Sequence, residues 1–231
     1  KFNRFFLTGQ ENIYISDAIA HQVSGDGSYT KRCSEWLESI TGCHKTLLTH
    51  SCTAALEMAA ILINIQPGDE IILPSYTFVS TANAFVLRGA TPVFIDINEN
   101  DLNMDVKLIE KAITSKTKAI IPVHYGGNSC NLEKIIEIAN QYNLFVIEDA
   151  AQGIMSFRNG YHLGSKGHLA TFSFHQTKNI ISGEGGALII NDKNLAKRAE
   201  IIREKGTNRS DYLRKNSSFY TWVDIGSSYL A

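Results

Sequence analysis

From Cys43 onward, short apolar runs alternate with longer amphipathic ones. The runs 45–49, 70–73, 92–96, 118–123, 144–147, 169–173 and 186–190 are rich in Ile, Val, Leu, Phe and Thr and predict strands. They are near-continuously apolar, as strands are when both faces of a sheet are covered. Between them the spacing predicts helices over 53–63, 78–87, 105–113, 131–142 and 195–205. The first is built from Ala, Leu, Glu and Met and is stopped by Pro67-Gly68. Arg88-Gly89 closes the second, and Asp105 and Asn131 open the third and fourth as N-caps. The fifth carries Glu, Lys and Arg outward, so the basic run 198–205 reads as a solvated face. Strands alternating with helices predict an α/β domain, with a mainly parallel sheet flanked by helices in three αβα layers. In such sheets, ligands sit at the carboxyl ends of the strands.

Composition narrows the function classes. With 231 residues, 44% hydrophobic and 19% charged, the chain can bury a real core, as one large domain or two small ones. Lys plus Arg total 22 against 23 Asp plus Glu, a net charge of -1, so neither nucleic acid nor an anionic membrane is an expected partner. No apolar run nears the ~20 residues that span a bilayer. Residues 1–6 lack the apolar core of a signal peptide, and an opening on Lys1 rather than Met suggests a trimmed start. Cys33, Cys43, Cys52 and Cys130 form no CxxC pair, which predicts reduced thiols and a cytoplasmic protein. The seven His show no zinc-like spacing. His44 and His50 merely bracket a strand, so no metal is expected.

Four segments lie at or just beyond strand ends. In 49–54, small and hydroxyl residues join a strand to a helix start, which is either an ordinary cap or a seat for phosphate. Segment 74–78 offers an aromatic, Tyr76 or Phe78. In 148–152, Asp149 closes an apolar strand; it either caps a turn or pairs with a protonated heterocyclic nitrogen. In 173–179, Lys178 lies 29 residues after Asp149, ahead of Gly183, Gly185 and Gly186. A lone loop lysine is normally a solvated charge. Beside glycines that admit close backbone approach, its amine can bond an aldehyde. Each signal is weak alone. Together, a phosphate seat, an aromatic, an acid and a lysine are the parts that a pyridoxal phosphate site requires.

The motifs Pro74-Ser75-Tyr76-Thr77-Phe78, Glu148-Asp149-Ala150-Ala151-Gln152, Ser173-Phe174-His175-Gln176-Thr177-Lys178-Asn179 and Gly183-Glu184-Gly185-Gly186 resemble those of the fold type I pyridoxal-phosphate enzymes. More narrowly, the chain resembles the DegT/DnrJ/EryC1 nucleotide-sugar aminotransferases along essentially its whole length. The resemblance implies Lys178 as the lysine bonded to the cofactor, Asp149 at the pyridine nitrogen, Gln152 near the phenolic oxygen and Phe78 stacked on the ring. Thr53, Ala54 and Ser173 match phosphate contacts, Cys52 and His175 complete the set, and Asn208 matches a position that reaches a partner subunit's cofactor. One branch of the family replaces the lysine by His and dehydrates sugars; Lys178 argues for transamination.

The activity implied is amino transfer from L-glutamate to a 4-keto-6-deoxy nucleotide sugar, dTDP-linked by preference, in the biosynthesis of surface polysaccharide and antigens. The family also implies a homodimer and a smaller C-terminal domain. Residues 1–231 would then be the large domain with an N-terminal helical segment, and the small domain would be missing. Tyr212, Phe219, Tyr220 and Trp222 could serve a partner subunit, the interior or that missing domain. Two alternatives stay open. One is another fold type I reaction, such as desulfuration or a retro-aldol, with Cys130 as sulfur carrier or simply a buried small residue. The other is a truncated, non-catalytic domain that binds a nucleotide sugar or a partner.

Overall fold

The computed structural model describes residues 4, 6–21 and 25–230. Most of the N-terminal stretch 1–6 and the last residue, Ala231, lie outside them. In chain order the elements are α1 (Glu11–Ala20), α2 (Ser28–Thr41), β1 (Lys45–Thr49), α3 (Cys52–Leu62), β2 (Glu70–Pro74), α4 (Val79–Val86), β3 (Thr91–Ile95), α5 (Val106–Ala112), β4 (Thr117–Ile120), α6 (Leu132–Tyr142), β5 (Phe145–Asp149), β6 (Phe157–Arg158), β7 (Tyr161–His162), β8 (Leu169–Ser173), β9 (Gly186–Ile190), α7 (Lys193–Arg203) and α8 (Arg209–Leu213).

Seven strands form one sheet in the order β1-β9-β8-β5-β4-β2-β3. Pairing is parallel from β8 through β5, β4 and β2 to β3. Strand β9 runs antiparallel to both β1 and β8. The sheet is therefore mainly parallel, as expected. The single reversal follows from the loop 174–185, which returns β8 into its neighbour without a crossover helix. A long connection is required between parallel neighbours but not between antiparallel ones.

Alternation along the strands feeds cores on both faces. Ile71 and Leu73 of β2, Ile147 of β5 and Leu188 and Ile190 of β9 pack with α3, α4 and α7. Ile72 and Val146 face α5 and α6, and Ala187 and Ile189 face Leu37 of α2. Helix α3 is hydrophobic nearly all round and correspondingly buried. Caps fall where the sequence places them at Asp105 and Asn131, each accepting a backbone amide of its helix's first turn. Asp192, not expected as a cap, does the same for α7, which starts at Lys193 rather than 195. The β6–β7 hairpin and α8 have no counterpart in the apolar pattern, being too short to carry a period. Strand β4 stops at Ile120 rather than 123, since Pro122 has no amide to donate. Among the described residues, no helix is long and apolar enough to cross a membrane.

Candidate active site

Strand β1 ends at Thr49, and the chain turns through extended Ser51 into α3. Ser51 Oγ accepts the Ala54 amide at 3.1 Å. The amides of Cys52 and Thr53 precede the first amide that donates within the helix, that of Ala55 to Ser51 O, so they are free to meet a ligand. Thr53 Oγ1 donates to Ser80 Oγ of the neighbouring α4 at 2.8 Å. Gly186, the first residue of β9, closes against this turn: a Cβ there would lie 2.3 Å from the Ser51 carbonyl carbon. Free amides, paired hydroxyls and the positive end of a helix dipole make an anion seat.

Strand β5 delivers two acids to opposite faces. Buried Asp149 accepts the Thr81 hydroxyl on Oδ2 at 2.7 Å and the Ala151 amide on Oδ1 at 3.1 Å. A carboxylate has about four lone-pair sites, so two remain for a ligand. Glu148 turns the other way. It accepts His124 Nε2 and the amides of Gly164, Lys166 and Gly167, all between 2.6 and 2.8 Å. Burial pushes its pKa up, but these donors outweigh burial and hold it below the ordinary carboxylate value. The Cys130 amide donates to His124 Nδ1 at 3.2 Å, which leaves the ring proton on Nε2, facing Glu148.

The loop between β8 and β9 is tied across itself. The Phe174 amide donates to Gly185 O at 2.8 Å and the Gln176 amide to Gly183 O at 2.9 Å. Asn179 Nδ2 donates to Ile154 O at 2.7 Å and anchors the loop to the turn after β5. Lys178 sits at the tip. Beside it, His175 Nδ1 bonds Thr177 Oγ1 at 2.8 Å, and its Nε2 lies 3.5 Å from the Glu184 carboxylate.

These elements enclose one cavity of about 390 Å³. Its walls carry Cys52, Thr53, Phe78, Asp149, Gln152, Ser173, His175 and Lys178, eight of the ten residues that the sequence points to. Phe78 is 71% exposed, so its ring is open to a ligand. Gln152 is held by the Gly126 amide, which donates to its Oε1 at 2.6 Å. Burial pushes the Cys52 thiol up, so it stays protonated. The amine, the buried carboxylate with spare acceptor sites, the open aromatic and the anion seat fit the functional groups of pyridoxal phosphate.

The DegT/DnrJ/EryC1/StrS aminotransferase family pattern matches residues 7–229. The chain belongs to this family. It is 38% identical over 221 residues to the spore coat polysaccharide biosynthesis protein SpsC of Bacillus subtilis, covering 94% of this chain and 57% of SpsC. It is 37% identical over 201 residues to GDP-perosamine synthase of Escherichia coli O157:H7, covering 87% of this chain and 55% of that enzyme. The PLP-form of Spr1654 from Streptococcus pneumoniae superposes with a TM-score of 0.83 at 29% identity, over 96% of this chain and 60% of that one. The chain thus spans a little over half the length of the curated relatives that it matches.

Two residues singled out in the sequence stand elsewhere in this DegT/DnrJ/EryC1/StrS member. Ala54 is buried off the cavity wall, and its amide is used by the Ser51 cap. Asn208 is engaged by its own chain: Nδ2 donates to Phe219 O at 2.7 Å, and Oδ1 accepts the Thr221 amide at 2.8 Å. Conversely, Thr77, Ser80, His124, Tyr125 and Glu184 line the cavity without having been singled out as site residues. The hydroxyl density of 75–81 was a usable signal for the first two. His124 and Tyr125 lie past the last residue of β4, and nothing local marks them. Cys130 is fully buried and its thiol donates to Val123 O at 3.2 Å, as a packed residue rather than a sulfur carrier. His44 and His50 stand roughly 20 Å apart at either end of β1, at ~3.3 Å per residue.

Proposed function

We propose that the protein is a pyridoxal-phosphate-dependent aminotransferase that passes an amino group from L-glutamate to a 4-keto-6-deoxy nucleotide sugar in polysaccharide biosynthesis. The observation that supports this is the convergence of Lys178, Asp149 and the start of α3 on one cavity. The names of two relatives, a polysaccharide biosynthesis protein and GDP-perosamine synthase, support the substrate class. Resemblance in 51–60, 74–89 and 199–210 to dTDP-4-amino-4,6-dideoxygalactose transaminase favours a dTDP-linked sugar. We further propose that 1–231 forms the large domain of a cytoplasmic homodimer, with a smaller C-terminal domain in the same enzyme. Phe219 and Trp222, 75% and 72% exposed, are apolar surface available to a partner subunit.

When bound, pyridoxal phosphate supplies an aldehyde that bonds amines and a ring that takes up the electron pair released at the neighbouring carbon. The amides of Cys52 and Thr53, with the Ser80 hydroxyl that Thr53 Oγ1 orients by donating to it, would hold its phosphate. Asp149 would keep the proton on the pyridine nitrogen, and Phe78 would cover the ring face. Lys178 Nζ would tether the cofactor at rest. Once displaced by the donor amine, it would carry a proton from the donor's α-carbon to the cofactor's C4′. The sugar ketone would be served by the same lysine in reverse.

Borohydride treatment of the loaded protein should fix the cofactor covalently to Lys178, as read by peptide mass, and Lys178→Ala should abolish both the adduct and amino transfer. An adduct that survives in Lys178→Ala overturns the assignment. Offering keto sugars on dTDP and on GDP, with L-glutamate, reads out the nucleotide.

A further inference from the structure

Asp149 is served by a hydroxyl that no part of the proposed chemistry has yet used. Thr81 is fully buried on the first turns of α4, and its Oγ1 lies 2.7 Å from Asp149 Oδ2. The same Oγ1 lies 2.7 Å from Thr77 Oγ1, which is half-buried on the cavity wall. A hydroxyl has one proton to give. With an ionised Asp149 able only to accept, Thr81 must donate to the carboxylate, and Thr77 must then donate to Thr81. The two threonines form a one-way relay that ends on the carboxylate. The opposite oxygen, Oδ1, is held by the Ala151 amide, so the two donors together set the plane of the carboxyl group.

The relay also joins two parts of the site that approach from different elements. Asp149 comes from the end of β5, while Thr77 neighbours Phe78, the N-cap residue of α4. We infer that Thr81 is a positioning residue: through its hydrogen bond it fixes the orientation and charge of Asp149, and through Thr77 it ties the aromatic wall to that carboxylate. This inference rests on the cofactor reading proposed above.

The experiment titrates apoprotein with pyridoxal phosphate, following visible absorbance, and measures the pH midpoint of the visible band of the loaded protein. Thr81→Val keeps the volume and removes the donor. It should bind roughly tenfold or more weakly, the effect of losing a hydrogen bond to a charged group. Its pH midpoint should move up. A ring nitrogen less firmly protonated draws less charge from the lysine-bonded nitrogen, which then keeps its proton to higher pH. Thr81→Ser keeps the hydroxyl and should restore both values. Thr77→Val should shift both in the same direction by less, and it serves if the buried substitution does not fold. If the unsubstituted protein takes up no pyridoxal phosphate, the cofactor reading fails and this inference with it. If it does bind, and the valine variants match it in affinity and pH midpoint, or Thr81→Ser behaves as Thr81→Val, the positioning role alone is overturned.

Discussion

Glu148 and Asp149 are neighbours in sequence and have opposite occupations. Asp149 keeps spare acceptor sites toward the cavity, whereas Glu148 spends both oxygens on four donors of its own chain. The sign of its pH effect follows. Its folded-state pKa is depressed, so the stability it contributes is present above the ordinary value of 4.5 and lost as pH falls through the lower folded value. Glu148→Gln turns an NH₂ toward a buried donor and should cost about 3 kcal/mol at neutral pH. Urea unfolding should show this gap narrowing as the pH is taken below 4.5, because the unsubstituted protein loses its own advantage there. A gap independent of pH would mean that the charge of Glu148 does not stabilise the fold.

At the level of elements, the site depends on how closely β9 meets the start of α3. Gly186 is the point of contact, and the atoms that a Cβ would strike are backbone atoms of Ser51 and Cys52, which cannot rotate away. Gly186→Ala should therefore push the strand and the helix start apart. The expected loss is about 1–3 kcal/mol in urea unfolding, the usual cost of overpacking. The amides of the anion seat move with that turn, so inorganic phosphate should bind the apoprotein more weakly as well. Unchanged stability would show that the turn relaxes freely. The GEGG stretch thus has a packing reason as well as any role toward ligand.

Over the whole molecule, the sheet separates one apolar core on one face from two on the other, and the cavity opens where β1, β5 and β8 end and β9 begins. Exposed Phe219 and Trp222 bear on the proposed homodimer. Sedimentation should give a mass double that of one chain, and Trp222→Asp should weaken the dimer; a single-chain mass at every concentration would remove the partner subunit. The ordering of strands and helices, the caps at Asp105 and Asn131 and the location of chemistry at strand ends were legible in the chain. Each depends on residues within a turn or a strand of one another, where propensity and period act directly. Lys178 and Asp149 were legible as candidates by the same local logic. Their sharing of a cavity, the reversal of β9 and the Thr77–Thr81–Asp149 relay depend on contacts between segments far apart along the chain. Local pattern sets the direction of each side chain on its own element, but only the packing of those elements against one another brings such groups within hydrogen-bonding reach.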